Sequence, residues 1–418
     1  MAMRLRRNPP PDAAERYFLA LLADPRPPLP PAPDDRFWAG LLDLAARHRL
    51  GEFLHARRAG ALRADWPPAA RETVRRRYIE NSLRNARFHA ELTRVAAAMR
   101  GDGLAPVLLK GGALLLTVYD DPAERPFGDL DLLVRPAELD AAAAVMRRLG
   151  YRLDEAYQPE SFYRAHHYHL IFRHAARPWL CFEIHWDLSL PAMDVAFDAE
   201  GLRRRAVPAR RDGLEILVPA PGDALLLLAL HAGMNRFATL GQIRDVATLA
   251  DADPASLADR DLWRAAVTAR MAVPLATSLR LARLFGGPGA ERLLAIRPRP
   301  RHGGLLRRIL RPEIVLRQSL LRSPAGGEAA SLLRRDDWRG RLAHLRRMVW
   351  PGAGELGMDG HQARAPGGLT LWSSGSYGPA APLRSALWTA LALAGWALDP
   401  AGPPPPGPPA TGGSANDE

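Results

Sequence analysis

One stretch limits the fold more than any other. Val107-Leu108-Leu109 runs into Lys110-Gly111-Gly112, and a loop marked by Pro122 and Pro126 then leads to Asp129-Leu130-Asp131-Leu132-Leu133-Val134. An apolar run entering paired glycines reads as a buried strand turning into a helix, expected over about 113–119. Along the second run side chains alternate, so Asp129 and Asp131 leave one face of a strand while Leu130 and Leu132 enter the other. Such a chain needs a sheet with one covered face and one polar face. Two carboxylates held that close repel, and a divalent cation with oxygen ligands relieves the repulsion, Mg²⁺ first and Mn²⁺ as the alternative. The bland alternative is a pair of exposed acids at a strand edge.

Lysine usage sharpens the picture. Of the 57 Lys and Arg residues, Lys110 is the only lysine. Where arginine serves everywhere else, a compact ammonium at the mouth of a glycine turn suits a phosphate. Glycines at a helix N-terminus let backbone N–H groups approach the same anion. The competing account is an ordinary glycine turn.

A later strand candidate, Cys181-Phe182-Glu183-Ile184-His185-Trp186-Asp187, places Glu183, His185 and Asp187 on one face and Phe182, Ile184 and Trp186 on the other. Glu183 would thus supply a third carboxylate. His166-His167-Tyr168-His169 puts His167 and His169 on one face of the preceding strand, close to His185 and Glu183. That group could take zinc, whose ligands are imidazole and carboxylate, which makes a zinc hydrolase one alternative. Otherwise these histidines contact substrate or satisfy hydrogen bonds beneath the site. His231 reads as a buried, bonded histidine, and Arg244 with Asp245 as a structural ion pair.

Around this core the pattern is helical. A proline cluster at 27–33 separates a short first helix from a second at about 35–48, and a long helix follows over about 69–100. Asn81 and Asn85 interrupt its apolar stripe, so that face should meet something polar. From Asp223 onward the pattern is helical again, and Leu225–Leu230, apolar on all sides, reads as buried. The expected class is α+β: a small mixed sheet flanked by N- and C-terminal helical regions. The expected divisions are a disordered 1–12, a helical 13–103, a core at 104–218 and a helical 219–350. Beyond these lie a poorly defined 351–399 with a terminal helix at 383–398, and a disordered tail at 400–418.

Composition narrows the function classes. A lone cysteine, Cys181, excludes an internal disulfide, CxxC redox chemistry and cysteine-rich zinc sites. No run resembles a signal peptide or a membrane span, so a cytoplasmic location is the expectation. The net charge of +12 is concentrated at positions 297–347, where 14 arginines face Glu313, Glu328, Asp336 and Asp337. A solvated helix face is the bland account of that segment. A surface for RNA or lipid phosphates is the sharper one, and with it a non-catalytic nucleotide-binding protein is the leading alternative.

The motifs Leu109-Lys110-Gly111-Gly112, Arg125-Pro126-Phe127-Gly128-Asp129-Leu130-Asp131 and Gly150-Tyr151 resemble the uncharacterised bacterial nucleotidyltransferase family of the DNA polymerase β-like superfamily. Glu183-Ile184-His185-Trp186 is similar to its later strand motif. The resemblance covers roughly 35–350, with its specific motifs confined to 108–187. It implies a nucleotidyltransferase core moving a nucleoside monophosphate from an NTP, with ATP as the reference donor, to a hydroxyl-type acceptor with release of pyrophosphate. It further implies that Gly111 and Gly112 hold the phosphates, that Asp129 and Asp131 bind Mg²⁺, and that Glu183 completes the site. The superfamily usually has Gly-Ser where this chain has Gly-Gly, so Lys110 is expected to supply the missing phosphate contact, with Arg125 also reaching the nucleotide. A small-molecule or peptide acceptor is favoured over nucleic acid; the acceptor's identity and the base are not legible.

Overall fold

The computed structural model describes residues 3–7, 10–24, 26–58, 66–156, 158–190, 193–252, 257, 260–297, 310–317, 329, 331–349, 386 and 396–400. The protein is mixed α and β, as the class expectation has it. Its centre is a seven-stranded sheet built from β2 (Val107–Leu108), β3 (Leu130–Leu133), β4 (Tyr151–Leu153), β5 (His169–His174), β6 (Arg177–His185), β7 (Val207–Arg211) and β8 (Leu214–Val218), in the order β4-β5-β6-β3-β2-β8-β7. β3 runs parallel to β6, β2 runs parallel to β8, and the remaining pairs are antiparallel. A separate antiparallel ribbon joins β1 (Met3–Arg7) to β9 (Trp396–Pro400).

Register follows from burial. Leu130, Leu132, Leu170, Phe172, Phe182 and Ile184 are all buried, as strands with a covered face require. Leu130 pairs with Phe182, and Leu132 with Ile184. The alternate positions pair Asp131 with Glu183, which places the two acids side by side on the opposite face.

Helices cover the core from both ends of the chain. α1 (Ala13–Ala23) begins with a capping box in which Asp12 and Glu15 bond each other's backbone. α2 (Asp35–Arg47) and α3 (Gly51–Arg58) lead to α4 (Pro68–Gly101), which packs along α3, α6 (Leu139–Arg148), β8 and the turn at Pro122–Glu124. Its 34 residues reach about 50 Å. Asn81 and Asn85 do meet polar groups. Asn81 donates to the carbonyl of Ala123 at 2.8 Å, and Asn85 donates to those of Pro122 and Arg125 at 2.7 and 3.0 Å. α5 (Lys110–Thr117), α7 (Glu160–His166) and α8 (Ala199–Arg205) sit between the strands in sequence. α9 (Pro221–Met234), with Leu225–Leu230 all buried, packs on α10 (Leu240–Ala252) and on the helix Ala272–Ala282.

The structure departs from the sequence reading at several points. α5 starts at Lys110, three residues earlier than expected, because Lys110 adopts a left-handed backbone at φ +46° and turns straight into the helix. The hairpin β7–β8 was absent from the reading, although Asp212-Gly213 is a strong turn signal; both residues have positive φ. Residues 3–7, expected to be disordered, form a strand, and Asp12 is a helix cap. The helix expected at 383–398 lies mostly outside the described residues, and its end, 396–398, belongs to β9 instead. The expected tail is outside the described residues beyond Pro400.

In the basic stretch, Arg317 binds both oxygens of Glu15, at 2.9 and 2.8 Å, and Arg334 and Arg335 are buried. A wholly solvated face is therefore wrong for the described part of that segment. No described helix is long and apolar enough to cross a membrane.

Candidate active site

The parallel pair β3–β6 fixes the centre of the site. Asp131 and Glu183 are neighbours in register, and His185, two residues beyond Glu183, shares their face. On the other side of β6, His169 of β5 pairs with His185. His185 Nε2 sits 2.9 Å from Asp131 Oδ1 and 3.2 Å from Glu183 Oε2, so one imidazole bridges two carboxylates. His169 Nδ1 lies 3.7 Å from the same Glu183 oxygen.

Lys110 completes this group. Its ammonium bonds Asp131 and stands 3.8 Å from Glu183 Oε2. The two acids are thus ion-paired despite being largely buried. Burial alone would raise the Asp131 carboxyl, but Lys110 and the bond from His185 outweigh it and hold it below its usual value. Burial opposes Glu183 as well, and there the His185 bond and Lys110 keep the carboxyl well below the usual carboxylate range. His185 moves the opposite way: burial works against its cation, yet its two carboxylate partners raise it above the ordinary imidazole value. His169 is driven well down, by burial first and by the neighbouring His185 and His167 next.

Asp129 lies just before β3, at the open side of the cleft, and makes no hydrogen bond or ion pair among the described residues. Desolvation, then the charges of Asp131 and Glu183, push it up to about 6. A third negative charge is being forced into a place that already holds two.

These residues line a cavity of about 350 Å³. Lys110, Gly111, Arg125, Asp129, Asp131, His169 and Glu183 form one side, and Leu228, His231, Met234 and Asn235 of α9 with Gln242 and Asp245 of α10 form the other. The larger cavity, of about 420 Å³, is lined by Phe53, Arg57, Arg244 and Asp251 and contains none of the sheet carboxylates.

Arg125 is held from three directions. Its Nε and Nη2 donate to both oxygens of Asp245 at 2.9 and 2.7 Å, its carbonyl accepts from Asn85, and its guanidinium lies against Gly111. Its Nη1 is buried with no hydrogen-bond partner. The preceding residue, Glu124, pairs with Arg244 and with Arg57, the latter at 2.7 Å. Arg244 and Asp245 therefore do not pair with each other. Adjacent residues on a helix point about 100° apart, and each takes one member of Glu124-Arg125.

The glycines serve packing. A β-carbon at Gly111 would collide with the Arg125 guanidinium, and one at Gly112 would meet Leu108 Cδ1 at 2.7 Å and Leu130 Cδ2 at 2.9 Å. Both residues lie in the first turn of α5, where backbone N–H groups lack helical partners.

Among the histidines, His167 is not on the strand as expected. It caps the end of α7, and β5 begins at His169, yet the two rings meet edge-to-face at 4.2 Å. His169, Glu183 and His185 each offer a ligand atom within 4.8 Å of the others. His231 is bonded, its Nε2 being 3.2 Å from Asn235 Nδ2, but it also faces the cavity, which the sequence reading missed. Asn235, Gln242, Asp245 and Arg49 were missed too. They belong to the helical flanks, and no local pattern in the sequence marks them as neighbours of the sheet.

Comparison with known proteins agrees with this geometry. A family described as an uncharacterised nucleotidyltransferase matches residues 34–287, which spans α2 to the helix Ala272–Ala282 and leaves the basic stretch outside. No curated protein and no solved structure matches the chain. With more than half of its length inside that match, the chain belongs to the uncharacterised nucleotidyltransferase family, and it is a transferase of nucleotidyl groups.

Proposed function

We propose that the protein moves a nucleoside monophosphate from an NTP to a hydroxyl on a small-molecule or peptide acceptor, with a divalent cation, Mg²⁺ or Mn²⁺, held by Asp129, Asp131 and Glu183. The observation that carries this is the register of β3 on β6, which sets Asp131 beside Glu183 with Asp129 at the open side of the same cleft.

The residues fit such an ion. Three carboxylates share one cavity wall, and the only cations among the described residues that touch Asp131 and Glu183 are Lys110 and His185. Asp129 bonds no cation among the described residues, and burial with the charges of Asp131 and Glu183 outweighs the help of Lys110 and Arg49, so its charged form is destabilised. When bound, the ion neutralises phosphate charge and orients the triphosphate. The chain's own groups do the rest. Lys110 is placed to neutralise phosphate oxygens, and Arg125 presents Nη1 from a guanidinium already fixed by Asp245. His185 holds Asp131 and Glu183 in mutual register, so that neither needs to reorganise on binding. In the transfer, the acceptor oxygen bonds the α-phosphorus as its bond to the bridging oxygen breaks. Pyrophosphate leaves, and the hydroxyl proton is released.

A second reading has one observation in its favour: His169, Glu183 and His185 form a set that suits zinc. That set leaves out Asp129 and Asp131, so it does not account for the crowding of three acids on one cavity wall.

Incubation with each of the four NTPs and Mg²⁺, followed by mass spectrometry of acceptor mixtures, tests the proposal. A nucleotide-sized mass gain that disappears in Asp131→Asn supports it. Full activity of that variant, or tight stoichiometric zinc with no nucleotide binding, overturns it.

A further inference from the structure

We infer that Arg49 is a phosphate-binding residue, which grips the pyrophosphate end of the nucleoside triphosphate together with Nη1 of Arg125. The inference rests on the nucleotidyl-transfer reading and adds a residue that lies far from the motifs in sequence.

Arg49 lines the cavity from the turn between α2 and α3. Its side chain makes no hydrogen bond or ion pair among the described residues. Its backbone is left-handed, with φ +56°, a conformation that residues with a β-carbon disfavour. The turn is locked there from α10. Gly241 N donates to the carbonyl of His48 at 3.0 Å, and Leu240 N donates to His48 Nδ1 at 3.3 Å. On its far side His48 Nε2 is 3.0 Å from the carbonyl of Leu316. Gly241 has no room for a side chain, since a β-carbon there would meet the His48 oxygen at 2.9 Å and the Arg49 oxygen at 3.3 Å. A solvated surface arginine requires no such clamp. The left-handed residue is the usual close of α2, with Leu50 N on the carbonyl of Ala45 at 2.8 Å and Arg49 N on that of Ala46 at 3.1 Å, and the bonds from α10 fix this turn at the cavity wall.

What it faces indicates the ligand. A recess of about 30 Å³ is lined by Arg49, Arg125, Gln242 and Asp245, and these four also line the main cavity. Asp245 is already engaged by Arg125, and Arg244, which also lines the recess, is paired with Glu124, so Arg49 is the guanidinium there without a described partner, close to an Arg125 whose Nη1 is buried and unpartnered beside Gly111. Burial, and then the facing charge of Arg125, works against the Arg49 cation and outweighs the opposing charges of Asp129, Asp245 and Glu52. Two like charges sharing a recess are stabilised by an anion between them, and planar guanidiniums suit phosphate oxygens. Lys110, Asp131 and Glu183 line the main cavity but not the recess, and Asp129 is within charge range of Arg49, so a polyphosphate held at the carboxylates and reaching towards the recess would place its terminal phosphates beside Arg49 and Arg125.

The test is calorimetric titration of inorganic pyrophosphate, in the presence of Mg²⁺, into wild-type protein, Arg49→Ala and Arg49→Lys. The four NTPs and the corresponding monophosphates are titrated in parallel. Wild type should bind pyrophosphate, and Arg49→Ala should weaken pyrophosphate and the preferred triphosphate about tenfold or more, while monophosphate binding changes less than twofold. Arg49→Lys should recover part of the loss. Circular dichroism checks that each variant is folded. If wild type binds a triphosphate and Arg49→Ala binds it and pyrophosphate equally well, the role of Arg49 is wrong while nucleotidyl transfer stands. If wild type binds none of the four triphosphates and no pyrophosphate, both fall.

Discussion

The guanidinium of Arg125 lies over the bare α-carbon of Gly111, so that the first glycine of the turn into α5 is a seat for an arginine. Gly111→Ala should therefore push Arg125 off Asp245, raising KM for the nucleotide and costing about 1–3 kcal/mol of stability. Gly112→Ala, which meets the side chains of Leu108 and Leu130, should lower stability by a similar amount and leave KM nearly unchanged. Melting curves with steady-state kinetics on the two variants separate these effects, and equal KM changes would contradict the assignment.

Asp129 and Asp131 should respond differently to amidation. Asp129→Asn removes an unpaired charge from a crowded cleft, so turnover should fall by about 10²–10³ while the melting temperature holds or rises. Asp131→Asn should abolish turnover too, but it leaves Lys110 without its principal partner and should lower the melting temperature.

The Arg125–Asp245 pair should be strongly coupled. Only 3% of the Asp245 side chain is exposed, and it also accepts from Tyr119 Oη at 2.8 Å. Arg125→Ala should cost about 3 kcal/mol or more, because a buried carboxylate loses its counter-charge. Adding Asp245→Asn should recover part of that loss, which urea denaturation of the double-mutant cycle would measure.

Two groups give stability opposite pH slopes. Burial, and then Lys110, holds His231 down to about 4, below the imidazole value of 6.5. The unfolded chain thus takes up a proton first as pH falls, and up to about 3 kcal/mol should be lost between pH 6.5 and 4. Burial holds Asp336 up to about 6, even though it accepts from the backbone of Ala272 and Val273. Folding there favours the protonated acid, so its contribution grows as pH falls from 6 towards 4. His231→Gln should flatten the acid limb of the stability profile, and Asp336→Asn should steepen it.

The sheet centre was legible because its information is local. A period of two puts Asp131 and Glu183 on polar faces whatever surrounds them, and Leu130 and Phe182 show which side is covered. The cavity's far wall was not legible. Arg49, His231, Asn235 and Asp245 enter the site through the packing of helices that are remote in sequence, and nothing within a few residues of each announces it. The Arg244–Asp245 error has a similar source: nearness in sequence was read as a pair, whereas helix geometry turns the two side chains apart. The β7–β8 hairpin is a different case, since its turn is local: Asp212-Gly213, both with positive φ, is a sufficient signal by itself.

The short connection at Pro122–Arg125 is gripped by Asn81 and Asn85 from one helical flank and by Arg244 and Asp245 from the other. A transplant of residues 104–218 alone would carry every sheet carboxylate to its new host, yet leave behind the scaffold that aims Arg125. The smallest transferable unit of this enzyme is therefore set by the handles on one loop, and it extends at least from α4 through α10.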